Sequence, residues 1–178
     1  MIREARGNPI GNINGTPSHC LTGQRSNIIE NPPRTGNPNQ GSILSNAYYG
    51  VFLILSQLAP GGDARAQFQL CQLYYEGLGV TRNLQLAFAW CLKSAQQGFV
   101  EAMEWVGTDY DAGEGVTPNH ALAVQWITKA AERGYQPAEE DLGAFYYFGM
   151  GGTQINPTLG CYWFRRAGRP DECRSNLP

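Results

Sequence analysis

Residues 66–98, AQFQLCQLYYEGLGVTRNLQLAFAWCLKSAQQG, return thirty-six positions later as residues 102–134, AMEWVGTDYDAGEGVTPNHALAVQWITKAAERG. Ala66, Leu70, Tyr74, Gly77, Gly79, Val80, Asn83, Ala87, Trp90, Ala95 and Gly98 become Ala102, Val106, Tyr110, Gly113, Gly115, Val116, Asn119, Ala123, Trp126, Ala131 and Gly134. Self-similarity at one fixed period marks a repeat architecture. A third copy keeps the register through Ala138, Leu142, Tyr146, Gly149 and Gly151. It then shifts by one residue to Asn156, Gly160, Trp163 and Ala167, which predicts a one-residue insertion near Gly152.

Each copy reads as two helices. Ala66, Leu70, Leu73 and Tyr74 share one face at spacings of three and four, and Leu84, Ala87, Trp90, Cys91 and Ala95 do the same in the second half. Gly77 ends the first helix, and Asn83, Asn119 and Asn156 each stand where an N-cap of the second helix belongs. Pro157 suits the first helical position after Asn156. The predicted pairs are 64–76 with 83–97, 100–112 with 119–133, and 137–148 with 157–167. Ala87, Ala123 and Gly160 are small enough for close helix approach, whereas the recurring tryptophans Trp90, Trp126 and Trp163 read as core. Since neither helix can bury its apolar face alone, neighbouring pairs must stack. The fold class expected is all-α, an α-α superhelix or solenoid of about three helix-pair repeats with an N-terminal capping helix.

That capping helix comes from the apolar run Ala47, Tyr48, Val51, Phe52, Ile54, Leu55 and Leu58. Counting back from Ala95 and Gly98 reaches Ala59 and Gly62, so it reads as the second helix of a copy whose first helix is missing. Ser42 or Ser45 is its expected N-cap, with Pro32, Pro33 and Pro38 breaking any helix before it. Residues 1–42 are dominated by Gly, Asn, Pro, Ser and Thr with scattered arginines, and read as a flexible or irregular arm. A docked arm held by Ile10, Ile13, Ile28 and Ile29, or a segment that folds on a partner, are the alternatives. The domains expected are therefore the arm at 1–42, a solenoid at 43–168 and a tail at 169–178. The repeats fall at about 64–99, 100–135 and 136–168, and Arg165 and Arg166 would solvate the last helix.

A net charge of −2 over 178 residues argues against a generic nucleic-acid or membrane surface. No apolar run approaches spanning length, so the chain reads as cytoplasmic, without membrane insertion. Cys20, Cys71, Cys91, Cys161 and Cys173 are odd in number and follow neither a CxxC spacing nor the repeat period, which favours reduced thiols. Only His19 and His120 are available for acid-base work, and His19 beside Cys20 is a poor zinc signal. No catalytic residue, metal site or cofactor is expected. An enzyme would have to depend on His120 or Cys91.

The phrases Tyr74–Gly98 and Tyr110–Gly134, with Ala-x3-Leu, Tyr-x2-Gly-x-Gly-Val, Ala-x2-Trp and Ala-x2-Gly, resemble the Sel1-like repeat family, relatives of the tetratricopeptide repeats. The third copy departs from the pattern at Gly152 and Gly168. The resemblance implies a right-handed superhelix whose first helices line a concave surface, and a role as an adaptor between proteins. A dedicated inhibitor or immunity protein that neutralises a toxin is the alternative. Some secreted relatives carry periodic disulfides, a pattern these cysteines do not fit.

If Leu70, Val106 and Leu142 point between helices, the groove-facing positions follow. They are Arg65, Phe68, Gln72, Tyr75 and Glu76, then Glu101, Glu104, Thr108 and Asp111, then Glu140, Ala144, Tyr147 and Phe148. Carboxylates mixed with aromatics suit a protein segment bearing Lys or Arg beside an apolar anchor. The competing reading packs Tyr75, Tyr147 and Phe148 against the arm or the next repeat.

Overall fold

A computed structural model describes the backbone of residues 38–173 and the side chains of 46–173. Among them are seven α-helices and no strand: α1 (Pro38–Leu58), α2 (Ala64–Glu76), α3 (Leu84–Gln96), α4 (Val100–Ala112), α5 (His120–Glu132), α6 (Gln136–Phe148) and α7 (Pro157–Arg166). The arm reading for residues 1–37 lies outside the described residues. The helix pairs α2–α3, α4–α5 and α6–α7 stack in sequence order, as the repeat requires.

Each second helix starts in the same way. The Asn83, Asn119 and Asn156 side chains accept hydrogen bonds from the backbone N–H of Leu86, Leu122 and Leu159, each at 3.0 Å. The asparagine N–H groups in turn donate to Tyr74, Tyr110 and Tyr146 carbonyls, closing the loop against the preceding helix. The first glycine of that loop is left-handed in every copy, with φ of 73°, 75° and 69° at Gly77, Gly113 and Gly149. The third loop absorbs its extra residue in a 3-10 turn, Met150–Gly152, closed by the Thr153 hydroxyl donating to Phe145 and Met150 carbonyls.

α1 begins at Pro38, earlier than either Ser42 or Ser45. Proline is compatible with a first helical position, where its missing N–H has no intrahelical role, so Pro38, expected to break a helix before this one, belongs to α1 itself. Its register is that of a second helix. The Gly79 loop lies directly on the Tyr48–Tyr49 backbone, as the Gly115 loop lies on Leu84–Gln85 of α3. Deeper down, Gln67 donates to the Ala59 carbonyl and accepts from Gln97, and the Ser94 hydroxyl donates to the Ala64 carbonyl. These bonds tie α1, α2 and α3 through otherwise buried polar groups.

The reduced-thiol expectation is overturned. Cys71 of α2 is bonded to Cys91 of α3 and Cys161 of α7 to Cys173, with Cα atoms 5.3 and 5.5 Å apart. The period failed as a guide because the pairs do not repeat each other. The first crosses one helix pair, while the second ties the 3-10 turn Pro170–Cys173 back to α7. Cys91 is therefore no free nucleophile. Arg166, expected to be a solvating residue, is exposed and also reaches the buried Glu139 at 2.8 Å and lies over the Trp163 ring.

Candidate protein-binding site

The first helices α2, α4 and α6 share a face whose centre is aromatic. Phe68 of α2 meets Phe99, just before α4, at 5.2 Å between ring centroids, and Trp105 of α4 edge-on at 5.3 Å. Tyr75, one turn beyond Cys71 on α2, also stands edge-on to Trp105 at 5.3 Å, and its hydroxyl donates to Glu114 at 2.8 Å. Such edge contacts fix the rings to each other as well as to the core. Phe99 is the N-cap residue of α4, and Tyr135 holds the same place before α6. Neither makes a side-chain cap, so both side chains are committed to packing.

Around Tyr135 the face turns acidic. Burial raises its pKa to about 12, reinforced by the negative charges of Glu104, Glu101 and Asp141. Those carboxylates come from two helices: Glu101 and Glu104 lie on α4 and Asp141 on α6. Glu104 and Asp141 are buried and Glu101 is half-buried. The junction between the second and third repeats thus brings carboxylates of two helices near one ring.

The expected groove residues divide accordingly. Phe68, Gln72, Tyr75, Glu101, Glu104 and Thr108 lie along this face, with Phe68, Gln72, Glu104 and Thr108 buried and Arg65 and Glu76 exposed at its edge. Asp111 contacts His120 Nδ1 at 2.8 Å, and Glu140 is engaged by Arg169 at 2.9 Å. Ala144 is buried. Tyr147 is drawn against α7. It is 8% exposed and packs on Phe164, because Gly160 opens a space on α7 in which its Cβ and backbone sit. Phe148 stays 44% exposed beside it. Spacing alone missed Phe99, Trp105, Tyr135 and Asp141. Trp105 could have been found as the one tryptophan that does not recur, since its counterparts are Gln69 and Asp141.

The Sel1 repeat profile matches residues 64–99, 100–135 and 136–169. The chain belongs to the Sel1 repeat family. A Sel1 repeat protein of Oxalobacter formigenes is similar over 74% of this chain and 55% of its own, at 36% identity and a TM-score of 0.64. A protective antigen of uropathogenic Escherichia coli strains that displays an SLR fold is similar over 66% of this chain and 25% of its own, at 36% identity and a TM-score of 0.63. A putative sel1-like repeat-containing protein of Acanthamoeba polyphaga mimivirus is 46% identical over 39 residues, 22% of this chain and 7% of that protein. The chain therefore spans a small part of the viral relative, a quarter of the antigen and about half of the Oxalobacter protein. Sel1 repeats are an interaction scaffold that generally mediates contacts between proteins. No described helix is long and apolar enough to cross a membrane.

Proposed function

We propose that this Sel1 solenoid is a non-catalytic adaptor that binds a protein segment across α2, α4 and α6, and that the segment carries Lys or Arg next to an apolar side chain. The carrying observation is the juxtaposition of the Phe68–Phe99–Trp105–Tyr75 ring system with the Glu101, Glu104 and Asp141 carboxylates around Tyr135. The half-buried Tyr75, Phe99 and Tyr135 rings, seated on the buried Phe68 and Trp105, supply contact area at low entropic cost, and the half-buried Glu101 orients a basic partner and speeds its encounter. The two disulfides favour an oxidising compartment for this protein over the cytoplasm.

The test is capture of binding proteins by the full chain and by a Glu101→Gln, Glu104→Gln variant, at low and high salt. A partner retained by the wild type, lost with the variant and released by salt supports the reading. Capture indifferent to both sinks it. Circular dichroism of the variant guards against loss of the fold.

A further inference from the structure

We propose that α1 is a dimerisation helix, pairing with α1 of a second copy of this chain through the stripe Ala47, Val51, Ile54 and Leu58. These residues follow one another at spacings of four, three and four, the d-a-d-a order of a coiled-coil seam. Val51, Ile54 and Leu58 are 45%, 60% and 52% exposed. Tyr49 and Leu53 are also exposed, so five of the nine exposed large hydrophobic side chains among the described residues belong to this one helix. Gly50 borders the stripe, and a Cβ placed there would meet nothing within 4 Å, leaving room for another backbone to approach.

The repeat register shows that this face is built to be covered. Val51 corresponds to Ala87, Ala123 and Gly160, and Leu58 to Ser94, Ala130 and Ala167. All six counterparts are buried, with the first helix of the same pair across from them. α1 has no such helix among the described residues. Nor is it shaped for one: where the repeats use alanine, glycine or serine for close approach, α1 presents valine and leucine, which hold a neighbouring helix farther away, as in a coiled-coil seam.

Charge points to a copy of itself. Trp90, Trp126 and Trp163 each lie under a cation three residues on, Lys93, Lys129 and Arg166, at 4.1, 4.1 and 4.9 Å. In α1 these positions are Ile54 and Gln57, and the whole helix from Pro38 to Leu58 contains no charged residue. A basic or acidic partner would find nothing there to pair with, whereas an uncharged apolar seam is complementary to itself. The stripe from 47 to 58 is about 18 Å long at 1.5 Å per residue, a short seam, which suits a dimer of micromolar affinity.

Sedimentation equilibrium of the full chain from low to high micromolar concentration is the test. The expected result is a monomer–dimer equilibrium whose dissociation constant rises about thirtyfold or more in Ile54→Glu, the size of a central hot-spot loss, with helicity unchanged. Should Ile54→Glu unfold, Ile54→Cys in a Cys20→Ser background is expected to form a covalent dimer on mild oxidation, whereas Glu76→Cys in the same background is not. A monomer at every concentration overturns the proposal. So does a dimer indifferent to Ile54→Glu, or an Ile54→Cys chain that cross-links no better than the Glu76→Cys control.

Discussion

The first and second repeats fill one slot between their paired helices in opposite ways. In the first, Cys71 and Cys91 close it with a covalent bond. In the second, the same positions are Gly107 and Ile127, and in the third, after the inserted residue, Gly143 and Phe164. A Cβ on Gly107 would stand 2.5 Å from Ile127 Cγ1 and 3.1 Å from the Ala123 carbonyl oxygen, and one on Gly143 would stand 2.8 Å from the Phe164 ring. Helix spacing is therefore set by the summed size of two facing residues, and two half-sized sulfur-bearing side chains can replace a glycine and a large one.

The largest expected effect comes from breaking the second repeat's solution. Gly107→Leu forces a side chain into space held by a fully buried Ile127, and about 3 kcal/mol of stability should be lost, the upper end for overpacking. Urea unfolding measures it, and a loss under about 1 kcal/mol would mean that α4 and α5 slide apart easily. Next is Cys91→Ala, which opens a bridge across a sequence separation of 20 and should cost about 2–3 kcal/mol. In a Cys161→Ser, Cys173→Ser background, which lacks the second bridge, reductant should reproduce that loss with Cys91 intact but add little to Cys91→Ala. The clamp can also be moved to the second repeat. Gly107→Cys with Ile127→Cys should oxidise spontaneously and recover about 1–2 kcal/mol relative to its reduced form. Failure to cross-link would show that the two repeats do not share one helix spacing.

Most of the scaffold was legible in the sequence because its determinants are local and recur. The period placed all three helix pairs, Asn83, Asn119 and Asn156 named their own caps, and the slip after Gly151 located the extra turn. Period was also what hid the disulfides, since a contact that changes chemistry from copy to copy leaves no periodic trace. The clue was the slot: Cys71 and Cys91 align with residues that touch each other in the next repeat. The binding face was harder to read for a related reason. Tyr147 shares its register with Tyr75 and Asp111, yet Gly160 draws it inward, an effect produced by a residue on another helix. Phe99 and Tyr135 sit between helices, where no helical periodicity applies.

The junctions between repeats also differ in chemistry, with the smallest expected effect. Phe99 before α4 packs on Phe68, while Tyr135 before α6 stands among Glu104, Glu101 and Asp141 with its pKa raised from 10.0 to about 12. Because the folded pKa lies above the unfolded one, the folded chain keeps this proton when the unfolded chain has lost it. The resulting stability is fully present below about pH 10 and disappears as pH rises from there through about 12. Tyr135→Phe should flatten that part of the alkaline stability profile, while the Phe99 junction contributes nothing to it. Tyrosinate absorbance should show one late-titrating group that the variant lacks. If the variant's titration matched the wild type's, neither the burial of the ring nor the carboxylates beside it would be holding the Tyr135 proton, and the contrast with the Phe99 junction would fail.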